Sequence, residues 1–132
     1  MKLITRDTDY AIRALCYIAK AKGQIVSASL LVKDLKIPRP FLRKILQKLN
    51  KKGILKSHKG LGGGFTLAAR VDNILLADLI KVFQGGVNLN DCLFKKKPCP
   101  NRQCCALKKK IDAIQEQVVA QLKSITIGKL LK

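Results

Sequence analysis

Apolar residues recur along this chain with two different periods, and the change between them divides it. Ile12, Leu15, Ile18 and Ala19 fall three or four positions apart, the spacing of one helix face, which predicts a first helix over Thr8 to Lys22. Thr8 can cap its start, and Gly23 can end it. Ser27 is placed to cap a second helix striped by Leu30, Leu31 and Leu35. Proline suits the first turn of a helix, so a third begins at Pro38 or Pro40. It runs through Phe41, Leu42, Ile45 and Leu49 and stops before Gly53. The break at Lys36–Arg39 leaves room only for two helices meeting at an angle, a helix-turn-helix pattern.

The period then shortens to two. Ile54 to Lys59 alternates like a strand, and Phe65-Thr66-Leu67 answers it. Between them Gly60-Leu61-Gly62-Gly63-Gly64 supplies positive φ and close backbone approach. A phosphate-cradling loop would need a Gly-Lys-Ser/Thr ending that opens a helix, and none is here, so a hairpin wing fits better. Helical spacing returns over Leu75 to Phe83, ended by Gly85-Gly86. A last, long helix is expected from about Arg102 to Lys123. Its stripe of Leu107, Ile111, Ile114, Val118, Leu122 and Ile125 is a near-heptad seam. With a core already supplied by the first 85 residues, that seam reads as a homodimer interface, and Thr126 to Leu131 as a capped turn closing back on it.

The expected fold is therefore mainly α: a winged helix-turn-helix domain with a small β-hairpin wing and a long C-terminal dimerisation helix. Residues 1–85 form the winged helix-turn-helix, 86–105 a cysteine-rich loop, and 106–132 the dimerisation helix and its C-terminal cap.

Charge narrows the function. The 132 residues carry 27 Lys and Arg against 8 Asp and Glu, a net +19, which specifies an acidic partner. At 48% apolar the chain is no disordered basic tail. Neither a secretory h-region nor a membrane-length apolar run is present, so a cytoplasmic protein without a membrane partner is expected. From Lys36 through Arg70 there are ten basic residues and no acidic one. A run of that kind coinciding with a helix-turn-helix and a glycine wing reads as a footprint for double-stranded DNA. Its candidates are Arg39, Phe41, Arg43 and Lys44 on the third helix and Lys56, His58, Lys59, Gly62 and Gly63 on the wing. No credible catalytic set exists, and His58 is the only histidine.

Four of the five cysteines, Cys92, Cys99, Cys104 and Cys105, gather in one loop, DCLFKKKPCPNRQCC; Cys16 reads as a small core residue. In a reducing compartment such a cluster argues for metal or redox chemistry over structural disulfides. Three readings stay open on spacing. Cys92, Cys99 and one of Cys104 or Cys105 could hold an iron–sulfur cluster (4Fe-4S or 2Fe-2S). Zinc usually takes closer pairs than these gaps of six and five residues. A redox pair, or small loop residues with no site role, is the third.

The stretches LITRDTDYAIRAL, IPRPFLRKILQKLNKKGIL, SHKGLGGGFTL and DCLFKKKPCPNRQCC, taken together, resemble the Rrf-type bacterial winged-helix regulators of the IscR/NsrR-like kind. The resemblance implies a homodimeric transcription regulator, and a repressor, whose DNA affinity is set by an iron–sulfur cluster. It implies Cys92, Cys99 and Cys105 as the three thiolates. IscR-like members place a histidine after the third cysteine, where this chain reads Ala106-Leu107-Lys108. NsrR-like members use an N-terminal aspartate donated by the other subunit, and Asp9 matches it. A recognition-helix glutamate of IscR-like proteins is Arg43 here, so their operator preference does not transfer. Two rivals remain: a cluster-free regulator controlled by a partner protein, and a zinc-containing basic RNA-binding protein.

Overall fold

A computed structural model of the chain describes residues 3–86 and 106–131. Three helices come first: α1 (Arg6–Lys20), α2 (Ala28–Leu35) and α3 (Arg39–Lys51). An antiparallel hairpin follows, β1 (Leu55–His58) paired with β2 (Gly64–Leu67), in a register that sets Leu55 opposite Leu67 and His58 opposite Gly64. A 3₁₀ turn (Val71–Asn73) leads into α4 (Leu76–Gln84), and α5 (Ala106–Lys123) and α6 (Ile127–Leu130) complete the order. This is the winged helix-turn-helix of the expected fold class, with the helix starts set by caps and prolines as anticipated for α2 and α3.

The cap of α1 differs from expectation. Thr5, not Thr8, lies in the extended conformation of an N-cap, and its hydroxyl accepts from the Thr8 backbone N–H at 3.4 Å. Thr8 sits inside the helix and is fully buried. The apolar spacing hid this, because Arg6 and Asp7 lie on the exposed side and give no hydrophobic phase. The acidic first turn, Asp7 and Asp9, suits the positive end of the helix dipole.

One core joins these elements. Leu15 and Ile18 of α1, Leu31 of α2, Leu42, Ile45, Leu46 and Leu49 of α3, Leu55 of β1 and Leu79 of α4 are all buried in it. The wing is anchored by an element the alternation did not reveal. Val26, between α1 and α2, bridges Phe65 through two backbone bonds of 3.0 and 2.8 Å.

The tail takes a different course from the one expected. Thr126 caps α6, but Ile127 is fully buried in the winged-helix core, and its N–H bonds Ile74 O at 3.0 Å. Leu76 N–H likewise bonds Ile125 O at 2.9 Å. The C-terminus thus closes on the start of α4, and residues 106–131 are stitched to the N-terminal unit. A second small core, Leu76, Ile80 and Leu122 with Val118 and Ile125 against it, fastens the last turns of α5 to α4. Leu122, expected in an inter-subunit seam, is instead 6% exposed within its own chain. Val118 packs beside it. The reason is local: the Leu75–Thr126 bridge draws that end of the helix against α4. Among the described residues no helix is long and apolar enough to cross a membrane.

Candidate nucleic-acid interface

Helix α3 buries Leu42, Ile45, Leu46 and Leu49, which leaves Arg39, Arg43, Lys44, Gln47 and Lys51 exposed. No acidic residue stands in its first turn. Cations there oppose the helix dipole, whereas an anion at the same place is favoured by both charge and free backbone N–H groups. The arrangement is therefore one that an acidic partner relieves. Arg39 donates from Nη2 to Ser29 Oγ at 3.2 Å, which ties the opening of α3 to that of α2. Phe41 lies elsewhere: 43% exposed, it lines a shallow cleft with Asp7, Lys44, Ile45, Lys48 and Phe83 on the flank of α3 facing α1 and α4. Lys48 there sits with its ammonium 5.4 Å from the Phe83 ring centre, a cation–π contact.

The wing carries Lys56 and Lys59 on its exposed surface. His58 is half-buried, and its Nε2 shares a hydrogen bond with Thr66 Oγ1 at 2.9 Å across the hairpin. One ring nitrogen is thus committed to holding the two strands. Gly62 has φ +73°, which other residues adopt only with strain. Gly63 has a different reason: a Cβ there would run into the carbonyl oxygen of His58. Its N–H closes the turn on Gly60 O at 3.0 Å. Both glycines are explained by the hairpin itself.

Of the expected metal ligands, Cys92, Cys99 and Cys105, with their neighbour Cys104, lie outside the described residues. Asp9 lies on the first turn of α1, where Arg13 Nε donates to its Oδ2 at 2.9 Å. The two side chains are 45% and 60% exposed, so the pair contributes less than about 1 kcal/mol and leaves the carboxylate accessible. Cys16 packs against the core on α1, and burial raises its thiol above the usual range despite nearby Lys20. It is a packing residue of the core.

On α5, Leu107 and Ile114 are 67% and 49% exposed and Ile111 is half-buried, so the first half of the helix keeps an uncovered apolar stripe.

Sequence reading missed Gln84. Its Oε1 accepts from Thr5 N–H at 3.0 Å and from the buried Thr8 hydroxyl at 2.9 Å, while its Nε2 donates to Leu3 O at 3.0 Å. One side chain thus joins the end of α4 to the cap of α1. Partners nearly eighty positions away leave no local signal.

Comparison with known proteins agrees with this geometry. The residue pattern of the Rrf2 family, described as iron-dependent transcriptional regulators, matches residues 4–132. A helix-turn-helix-type transcriptional regulator of Aquifex aeolicus is 34% identical over 132 residues, covering 98% of this chain and 92% of its own. The transcriptional repressor NsrR of Streptomyces coelicolor is 25% identical over 130 residues, covering 97% and 87%. Among solved structures, a transcriptional regulator from Listeria innocua matches with a TM-score of 0.84 at 23% identity, covering 99% of this chain and 86% of that one. CymR, the global cysteine regulator of B. subtilis, shares the fold with a TM-score of 0.73 at 22% identity, over 99% and 97%. The relatives are transcriptional regulators and not enzymes. This chain belongs to the Rrf2 family of transcriptional regulators.

Proposed function

We propose that the protein is a homodimeric, cytoplasmic repressor that binds a double-stranded operator and senses redox, nitric oxide or iron–sulfur status through an iron–sulfur cluster. One observation carries the sensing reading: a chain of a family described as iron-dependent brings Cys92, Cys99 and Cys105 within fourteen residues of sequence. Thiolates are the donors that cluster iron prefers. These three would hold the cluster, and Asp9 of the other subunit would supply a harder oxygen donor. When bound, the cluster supplies a group that nitric oxide, oxygen or iron shortage removes or modifies.

The remaining roles fall to the chain itself. Residues 1–85 meet DNA, with Arg39 and Arg43 toward base edges and Lys44, Lys56 and Lys59 toward phosphates. Residues 86–105 carry the sensor. Within 106–132, the exposed stripe of Leu107, Ile111 and Ile114 meets its symmetry mate. Because α5 is fastened to α4 and α6 to the core, a shift between the two α5 helices moves the DNA-binding lobes bodily. A change in lobe spacing is a change in the half-site separation a dimer can span.

Metal and sulfide analysis of protein purified without oxygen tests the reading. Iron with acid-labile sulfide and a visible absorption band is expected. Colourless protein that still binds DNA would make this a cluster-free regulator, and zinc in place of iron would make the loop a structural metal site.

A further inference from the structure

At the tip of the wing, Leu61 is fully exposed (108%), more so than any other large apolar residue among those described. Its neighbours are Gly60 at φ +94° and Gly62 at φ +73°, with Gly63 N–H closing the turn on Gly60 O. A flexible, solvated tip would ordinarily take a polar residue. This tip is instead a slim backbone turn bearing a single aliphatic side chain.

The tip is also rigidly presented. Val26 pairs with Phe65, and a Cβ on Gly64 would strike the Val26 carbonyl oxygen, so β2 is pressed against that segment. Leu55 at the other end of the hairpin is buried, and the His58–Thr66 bond ties the strands just below the turn. The charge near the tip is entirely positive: Lys56 and Lys59 lie on the β1 side leading into it, and no acidic residue occurs from 36 to 70. The partner that this charge selects is a polyanion.

We infer that Leu61 is a minor-groove wedge, which reads A·T-rich steps beside the site contacted by α3. This rests on the DNA-binding reading above. The minor groove is narrow and its floor at A·T pairs presents only acceptors and no protruding group, whereas a G·C pair adds the guanine N2 amino group. An aliphatic side chain held at that depth packs on an A·T floor, and aliphatic side chains inserted there also part base steps and bend the duplex. At G·C the same side chain meets the amino group and leaves it without a hydrogen-bond partner. Lys56 and Lys59, on the β1 side of the tip, would grip phosphates beside it without regard to sequence.

Selection from a random-sequence duplex pool, with the full chain, tests this. The wild type should enrich a central motif and, beside it, an A·T-rich step on each side; Leu61→Ala should keep the central motif and lose the flanking preference. On the selected duplex, changing the flank from A·T to G·C should weaken wild-type binding about tenfold, and inosine·C, which lacks the minor-groove amino group, should restore it. Leu61→Ala should bind all three duplexes alike, and Leu61→Met should behave as wild type. Leu61 touches nothing in the fold, so both variants should melt with the wild type. Equal flanking preference in wild type and Leu61→Ala would overturn the wedge, as would equal binding of the G·C and inosine·C duplexes. A wild type that enriches a central motif with an indifferent flank counts against the wedge alone; one that enriches nothing counts against sequence-specific binding altogether.

Discussion

Single residues do different work here according to what surrounds them. Gln84 satisfies the hydroxyl of Thr8, the only buried polar side chain among the described residues. Gln84→Leu would remove the acceptor of the Thr5 N–H and leave the Thr8 hydroxyl only Thr5 Oγ1, at 3.1 Å, at a cost of about 1–3 kcal/mol. The loss should appear as a lower denaturation midpoint at unchanged slope; an unshifted midpoint would mean water replaces the side chain freely. Arg43 and Lys59 should separate by kind. Arg43→Ala should cost roughly 1–3 kcal/mol on the specific site and much less on random DNA, if its guanidinium reads a guanine edge. Lys59→Ala should weaken both alike. Equal losses for Arg43→Ala on both DNAs would demote it to a phosphate contact. His58 was readable from sequence as a wing residue, but its bond to Thr66 depends on hairpin register, which turn length and pairing decide.

At the level of elements, α5 has two halves with two fates. Leu122 belongs to its own subunit, so Leu122→Ala should cost about 2–5 kcal/mol of fold stability. Ile114 is half exposed in the single chain, so Ile114→Asp should leave the fold intact. Placed against its mate in an apolar interface, however, the charge should cost several kcal/mol of association. Sedimentation should show a folded monomer that no longer holds the operator; a normal dimer would mean α5 has no inter-subunit role. The heptad spacing made this helix legible but could not say which part faces a partner, because a stripe looks the same whichever surface covers it. The same limit applies to Val26 and α6. Three helices and the hairpin were readable because caps, prolines and periods are local. The Val26–Phe65 bridge, and Ile127 as a core residue, arise from contacts some forty and fifty residues distant. The cysteine-rich stretch carries an expectation of metal chemistry through residue type and spacing alone, because it lies outside the described residues.

For the whole molecule, the net charge of +19 makes association with DNA an electrostatic event first. If each subunit neutralises several phosphates through Lys44, Lys56, Lys59 and their neighbours, log K should fall against log salt by about 0.9 per phosphate. A dimer should lose on the order of a thousandfold between low and moderate salt. A flat titration would contradict that mode. The central claim, that this charge is governed by a cluster, is tested most directly by the visible absorption of thiol variants purified without oxygen. Cys92→Ala, Cys99→Ala and Cys105→Ala should each abolish the iron–sulfur band, because each of these thiolates would hold its own iron. Cys104→Ala should retain it. Asp9→Asn should assemble the cluster but lose it faster to chelator, since the carboxylate is the harder and weaker donor. Full iron content in all four cysteine variants, or none in the wild type, would contradict the sensing account.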